Sequence, residues 1–135
     1  MSEGYLRQID ELLSTSPAVS NIEVIRRSVR DTGVERVLNY RYRAILADGG
    51  LIELSERVVE IQGAMAVTMY RHHWQDSSGR LIKRWDNAPH HPEIDTFPHH
   101  LHEGDRVVSH PALNGLEALQ RILAEIEARG GIREE

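Results

Sequence analysis

Cysteine is absent from this 135-residue chain. That excludes a disulfide scaffold, a thiolate metal site and a cysteine nucleophile. Lysine is nearly absent as well: Lys83 is the only one, so arginine carries the rest of the 16 side-chain cations. Aromatic residues are sparse, with one phenylalanine and two tryptophans. No stretch approaches the roughly 18 apolar residues a membrane span needs. The opening MSEGYLRQIDELL has no basic region followed by an apolar run, so no signal peptide is read and a cytoplasmic location is expected. A glycine-rich phosphate loop, a GxSxG elbow, a dinucleotide fingerprint and HExxH are all missing, which removes the chemistries those motifs serve.

What is present fits one folded domain with an ordinary apolar fraction. The net charge of −5 argues against general coating of nucleic acid, but the charge is unevenly spread. Residues 24–86 hold 11 Lys+Arg against 8 Asp+Glu, while both flanks are acidic. Arginine forks match phosphate oxygens in a way lysine cannot.

Helical spacing of Leu6, Ile9, Leu12 and Leu13 predicts a first helix that Ser2 caps and Ser14-Thr15-Ser16-Pro17 ends. A last helix carries Leu116, Leu119, Ile122, Leu123 and Ile126 on one stripe. Asn114 and Glu117 have the spacing of a capping box, and Gly130-Gly131 stops the helix. Between the helices, Asp31-Thr32-Gly33, Asp48-Gly49, Gln62-Gly63 and Ser77-Ser78-Gly79 read as hairpin turns. They separate strands at roughly 20–30, 35–47, 51–61, 64–76 and 80–86. The second strand alternates, with Leu38, Tyr40, Tyr42, Ala44 and Leu46 on one face and Arg41 and Arg43 on the other. The expected fold is α+β: a twisted antiparallel meander of five to six strands, flanked by an N-terminal and a C-terminal helix on one face. The stretch Asn87–Asn114, with four prolines and six histidines, is expected to be an ordered loop wrapped on that sheet.

All eight histidines fall between residues 72 and 110. Imidazole titrates near neutrality and serves as acid or base, so two of them beside an arginine suffice for phosphodiester transfer without a metal. His73 with Arg84, and His90 or His99, fit those roles. Pairing Asp76 with Arg80 across the Ser77-Ser78-Gly79 turn sets His73 opposite Lys83 and Arg71 opposite Trp85. That surface would combine an imidazole, two cations and an indole for phosphate and base. A second chemistry is metal binding: His100 and His102 are two apart in an extended segment, and His90, His91 or Asp86 could complete a divalent transition-metal site. A third reading is structural, with imidazoles bonded to backbone carbonyls, Trp74, Trp85 and Phe97 packing the loop, and Asp86-Asn87 capping a turn.

Several strings then resemble one family. His73-Trp74-Gln75-Asp76, Gly79-Arg80-Leu81-Ile82, the run from Arg84 to Pro92, Thr96-Phe97-Pro98-His99-His100 and His102 look like the TumE-type toxins of prokaryotic toxin–antitoxin systems. Tyr40-Arg41-Tyr42-Arg43 and the Asp48-Gly49 turn extend the likeness over roughly residues 35–105. Two departures are visible: His72 stands where an aromatic is expected, and the glycine-rich stretch expected after the last histidine is missing near Asp105. The resemblance implies a toxin with a cognate antitoxin protein as partner.

The reading favoured from the residues is a toxin that cuts RNA with histidines and needs no cofactor. Its catalytic candidates are His73, Arg84, Asp86, His90, His91, His99 and His100. Its substrate-binding candidates are Arg71, Lys83, Trp85, Arg41 and Arg43. The alternative is a non-catalytic protein- or metal-binding module, with His100 and His102 as ligands. A hydrolase or transferase acting on nucleotides ranks third, no membrane partner is expected, and a homodimer is left open.

Overall fold

The computed structural model describes residues 2–130. The chain runs α1 (Ser2–Thr15), β1 (Val19–Asp31), β2 (Arg36–Leu46), β3 (Leu51–Ile61), β4 (Ala64–Gln75), β5 (Leu81–Asp86), β6 (His100–Glu103), β7 (Arg106–Ser109) and α2 (Gly115–Gly130). The seven strands form one antiparallel sheet in sequence order. Four turns carry the expected glycine with positive φ. The tightest, Gln62-Gly63, has φ of 51° and 78° at its two residues, and a glycine at the second avoids the strain a Cβ would bring there. No helix among the described residues is long and apolar enough to cross a membrane.

Both helices pack on one face of the sheet. Leu6, Ile9 and Leu13 of α1 and Ala118, Leu119 and Ile122 of α2 share a core with Leu38, Tyr40, Tyr42, Ala44 and Leu46 of β2. Arg41 and Arg43 are left on the opposite, helix-free face, as period-two alternation requires. The α2 cap forms reciprocally: the Glu117 N–H donates to Asn114 Oδ1 at 2.8 Å and the Asn114 N–H to Glu117 Oε1 at 3.0 Å. The helix runs to Gly130, and Gly131 lies outside the described residues. Ser2 is the first helical residue, not a cap, and its N–H donates to Glu60. Leu119 is fully buried, so Leu119→Ala should cost about 2–5 kcal/mol in denaturant melts; a loss near zero would show α2 to be peripheral.

Two expectations need correction. The segment 87–114 is not one loop: it contains the β6–β7 hairpin, turned at Gly104 with φ 61°, which raises the sheet to seven strands. Each of these strands has four residues, and His100-Leu101-His102 offers a single aliphatic, too little for a period-two signal. The β4–β5 register is also shifted. The Asp76 N–H does bond to the Arg80 carbonyl, but an irregularity between Trp74 and Gln75 moves the ladder by one residue. His73 therefore faces Arg84, Arg71 faces Asp86, and Trp74 faces Lys83. A bulge of this kind leaves no mark in hydrophobic alternation.

Candidate functional site

Strand register alone writes two polar rows across the helix-free face. One runs Arg26, Arg41, Ser55, Arg71, Asp86, His100, each the cross-strand neighbour of the next from β1 to β6. The adjacent row runs Glu23, Arg43, Glu53, His73, Arg84, His102. Cross-strand partners point to the same side, so these side chains share one surface. Within the second row, Glu53 accepts from Arg43 at 2.7 Å and Arg41 at 3.1 Å. Burial would raise its pKa, but the bonds from Arg43 and Arg41 outweigh that and hold the carboxyl below its ordinary value.

A cleft of about 990 Å³ follows the first row. Arg26, Arg41, Arg57, Arg71 and Arg84 line it, and Asn87 to His90 form one wall. Among the described residues Arg26, Arg57 and Arg71 make no ion pair, and Arg57 donates to the Thr68 hydroxyl at 3.0 Å. Asn87 fixes the wall to β4: its Oδ1 accepts from the Tyr70 N–H and its Nδ2 donates to the Thr68 carbonyl, both at 3.0 Å.

The cleft ends at Asp86. This carboxylate, 6% exposed, accepts from the Ala88 N–H at 3.0 Å, which is the turn-capping role expected of it. It also meets Arg84 Nε at 3.3 Å, His100 Nε2 at 3.0 Å and His102 Nε2 at 3.6 Å. The His91 ring stands 5.4 Å from that of His100 and 5.9 Å from that of His102. His91 reaches them from a left-handed backbone conformation, φ 61°, a strained state for a non-glycine residue that surrounding contacts must hold. Its neighbour His90 is exposed in the cleft wall. Burial lowers the pKa of His102, Arg84 lowers it further, and the attraction of Asp86 only partly offsets them. His102 is therefore a neutral ring at neutral pH.

The sequence-derived set thus divides. Arg84, Asp86, His90, His91, His100 and His102 gather at one end of the cleft, with Arg71 and Arg41 along it. His73 lies on the same face beside Arg84, but its Nε2 is engaged with Gln75 Oε1 at 2.8 Å. His99 pairs its Nδ1 with the Tyr70 hydroxyl at 3.0 Å. Trp85 and Lys83 sit on the helix-covered face, the indole buried and Lys83 bound to Glu125 of α2 at 3.0 Å. Arg43 is taken up by Glu53. Arg26 and Arg57, which reading by strand alone did not single out, join the cleft through cross-strand register.

A family model described as Toxin TumE matches residues 9–130. No curated protein and no solved structure matches the chain.

Proposed function

The chain belongs to the TumE toxin family, and from that premise we propose that it acts on RNA and cuts its backbone at the histidine end of the arginine cleft. A family of toxins from toxin–antitoxin pairs implies a cognate antitoxin as partner. The observation that carries the RNA reading is the cleft itself. Five arginines line one groove, three of them without an ion-pair partner among the described residues, on a chain whose net charge is negative. A groove that tracks a polyanion needs that concentration of forked donors.

In this reading Arg71 and Arg84 hold the non-bridging phosphate oxygens, and Asp86 fixes Arg84 through Nε so that its terminal nitrogens face the cleft. The substrate's 2′-oxygen attacks phosphorus and the bond to the 5′-oxygen breaks. One of the loop imidazoles, His90 or His91, takes the 2′-hydroxyl proton, and the other gives a proton to the departing 5′-oxygen. The products are a 2′,3′-cyclic phosphate and a 5′-hydroxyl end.

The test uses purified protein with labelled single-stranded RNA and its all-deoxy counterpart. RNA should be cut and the deoxy strand spared, because the nucleophile is the 2′-hydroxyl. His90→Ala should lower the rate about 10²–10⁴-fold with an unchanged melting temperature, since the ring is exposed. Arg84→Lys should also impair cleavage, as it keeps the charge and loses the fork. Equal cutting of RNA and DNA, or a His90→Ala variant as active and as toxic as the parent, would overturn the scheme.

A further inference from the structure

We propose that Asp86, His100 and His102 form a binding site for a divalent transition metal, with zinc as the representative ion. The inference does not depend on RNA being the substrate. It starts from His100, whose ring is almost fully enclosed at 1% exposure. Its Nδ1 lies 2.9 Å from the Pro98 carbonyl oxygen. A carbonyl can only accept, so Nδ1 carries the hydrogen. In the neutral ring Nε2 is then a bare lone pair, and it points at Asp86 Oδ1 from 3.0 Å. Two lone-pair atoms facing each other in a buried site repel unless something positive lies between them.

A proton on Nε2 would relieve that one contact. It would leave His102, whose Nε2 is turned to the other Asp86 oxygen at 3.6 Å. A metal ion serves all three groups at once. The three ligand atoms all lie within 4.8 Å of one another. Metal–ligand bonds of about 2.0–2.2 Å set neighbouring ligand atoms roughly 3.0–3.5 Å apart; His100 Nε2 stands 3.0 Å from Asp86 Oδ1, within that range, and His102 Nε2 stands 3.6 Å from Oδ2, just beyond it. A backbone carbonyl on the far nitrogen of a ligating histidine is the usual outer-shell partner, since it fixes the tautomer and turns the lone pair inward. The carboxylate is oriented in the same way, by the Ala88 N–H.

The donor set selects the ion. Two imidazoles and one carboxylate suit zinc, iron or nickel rather than calcium or magnesium, which prefer oxygen. Arg84 reinforces the choice, because its contact with Asp86 offsets the only negative charge and leaves affinity to the imidazoles. Three protein ligands leave the remaining positions to water, beside His91. A bound ion would also tie β5 to β6 at the point where the loop from residue 87 to 99 leaves and rejoins the sheet.

The test uses the full chain without a histidine tag, stripped by chelator, exposed to Zn²⁺ and passed through gel filtration. The parent should retain close to one zinc per chain and gain at least about 5 °C in melting temperature. Asp86→Asn, which keeps the shape, and His102→Ala should each lose both the zinc and the shift, while His110→Ala should keep them. Each variant is compared with itself with and without Zn²⁺, so a lowered baseline stability does not enter the reading. A parent that retains no zinc overturns the proposal. So do Asp86→Asn and His102→Ala variants that retain as much zinc as the parent.

Discussion

Glu56→Ala is expected to cost this fold about 2–6 kcal/mol, at least as much as the loss of a core leucine. The carboxylate sits under the sheet at 2% exposure and gathers three buried donors: the hydroxyls of Tyr5 and Tyr40, and the Gly115 N–H at the start of α2 at 3.1 Å. Tyr5 also accepts from the Gly115 N–H, so the carboxylate joins α1, β2 and α2 at one point. Removing it leaves the two enclosed tyrosine hydroxyls short of an acceptor, at about 1–3 kcal/mol each, while the Gly115 N–H keeps the Tyr5 oxygen. An anion at a helix N-terminus is also favourable, and that contribution goes with it. The site has no slack: a Cβ on Gly115 would lie 2.3 Å from the Tyr40 hydroxyl and 2.7 Å from Glu56 Oε1. Burial raises the pKa of Glu56, and the bonds from Tyr40, Tyr5 and Gly115 pull it back. Urea melts of Glu56→Ala and Leu119→Ala measure the ranking. A smaller loss for Glu56→Ala would mean that water or a shifted partner satisfies the two hydroxyls.

The second large effect is on acid stability. His72 is wholly buried, stacks on Tyr70 at 5.3 Å, and among the described residues neither ring nitrogen has a partner in full hydrogen-bond geometry. Burial pushes its pKa down to about 3, against weaker upward pulls from the Leu113 backbone and from Asp86. The native ring is therefore neutral where the unfolded ring, with a pKa of about 6.5, takes up a proton. Its contribution is fully present above about pH 6.5 and is lost as the pH falls from 6.5 towards 3, at about 1.4 kcal/mol per pH unit. Glu56, whose Oε2 lies 4.0 Å from His72 Nε2, works in the opposite sense because its raised pKa favours protonation in the folded state. His72→Phe removes the titrating ring and keeps the stack on Tyr70. Its stability should fall less steeply than the parent's between pH 6.5 and 4. Parallel slopes for the two proteins would show that the acid limb comes from other groups.

Much of the scaffold was legible beforehand because it rests on local chemistry. Glycine at positive φ marked the four turns, alternation in β2 separated Tyr40 and Tyr42 from Arg41 and Arg43, and Asn114 and Glu117 announced the α2 cap. The resemblance carried by the Arg84–Pro92 string pointed to the family that the wider match bears out. The clustering of histidines marked the region of the candidate site without telling which rings meet. His99 and His100 are adjacent in the chain, yet one turns to Tyr70 and the other to Asp86.

Composition and period-two patterning by themselves determined the α+β class, five of the seven strands and the faces of β2, because each depends on contacts a few residues apart. Only the tertiary structure decided the β4–β5 register, since one irregular residue shifts every partner beyond it without changing the pattern within either strand. That shift sets Arg71 against Asp86 and His73 against Arg84, and carries the rows on to His100 and His102. The cleft, the Asp86 cluster and the buried Glu56 junction all join residues from distant strands and helices. Their members are chosen by strand order and side-chain direction, which are properties of the assembled sheet rather than of any segment in it.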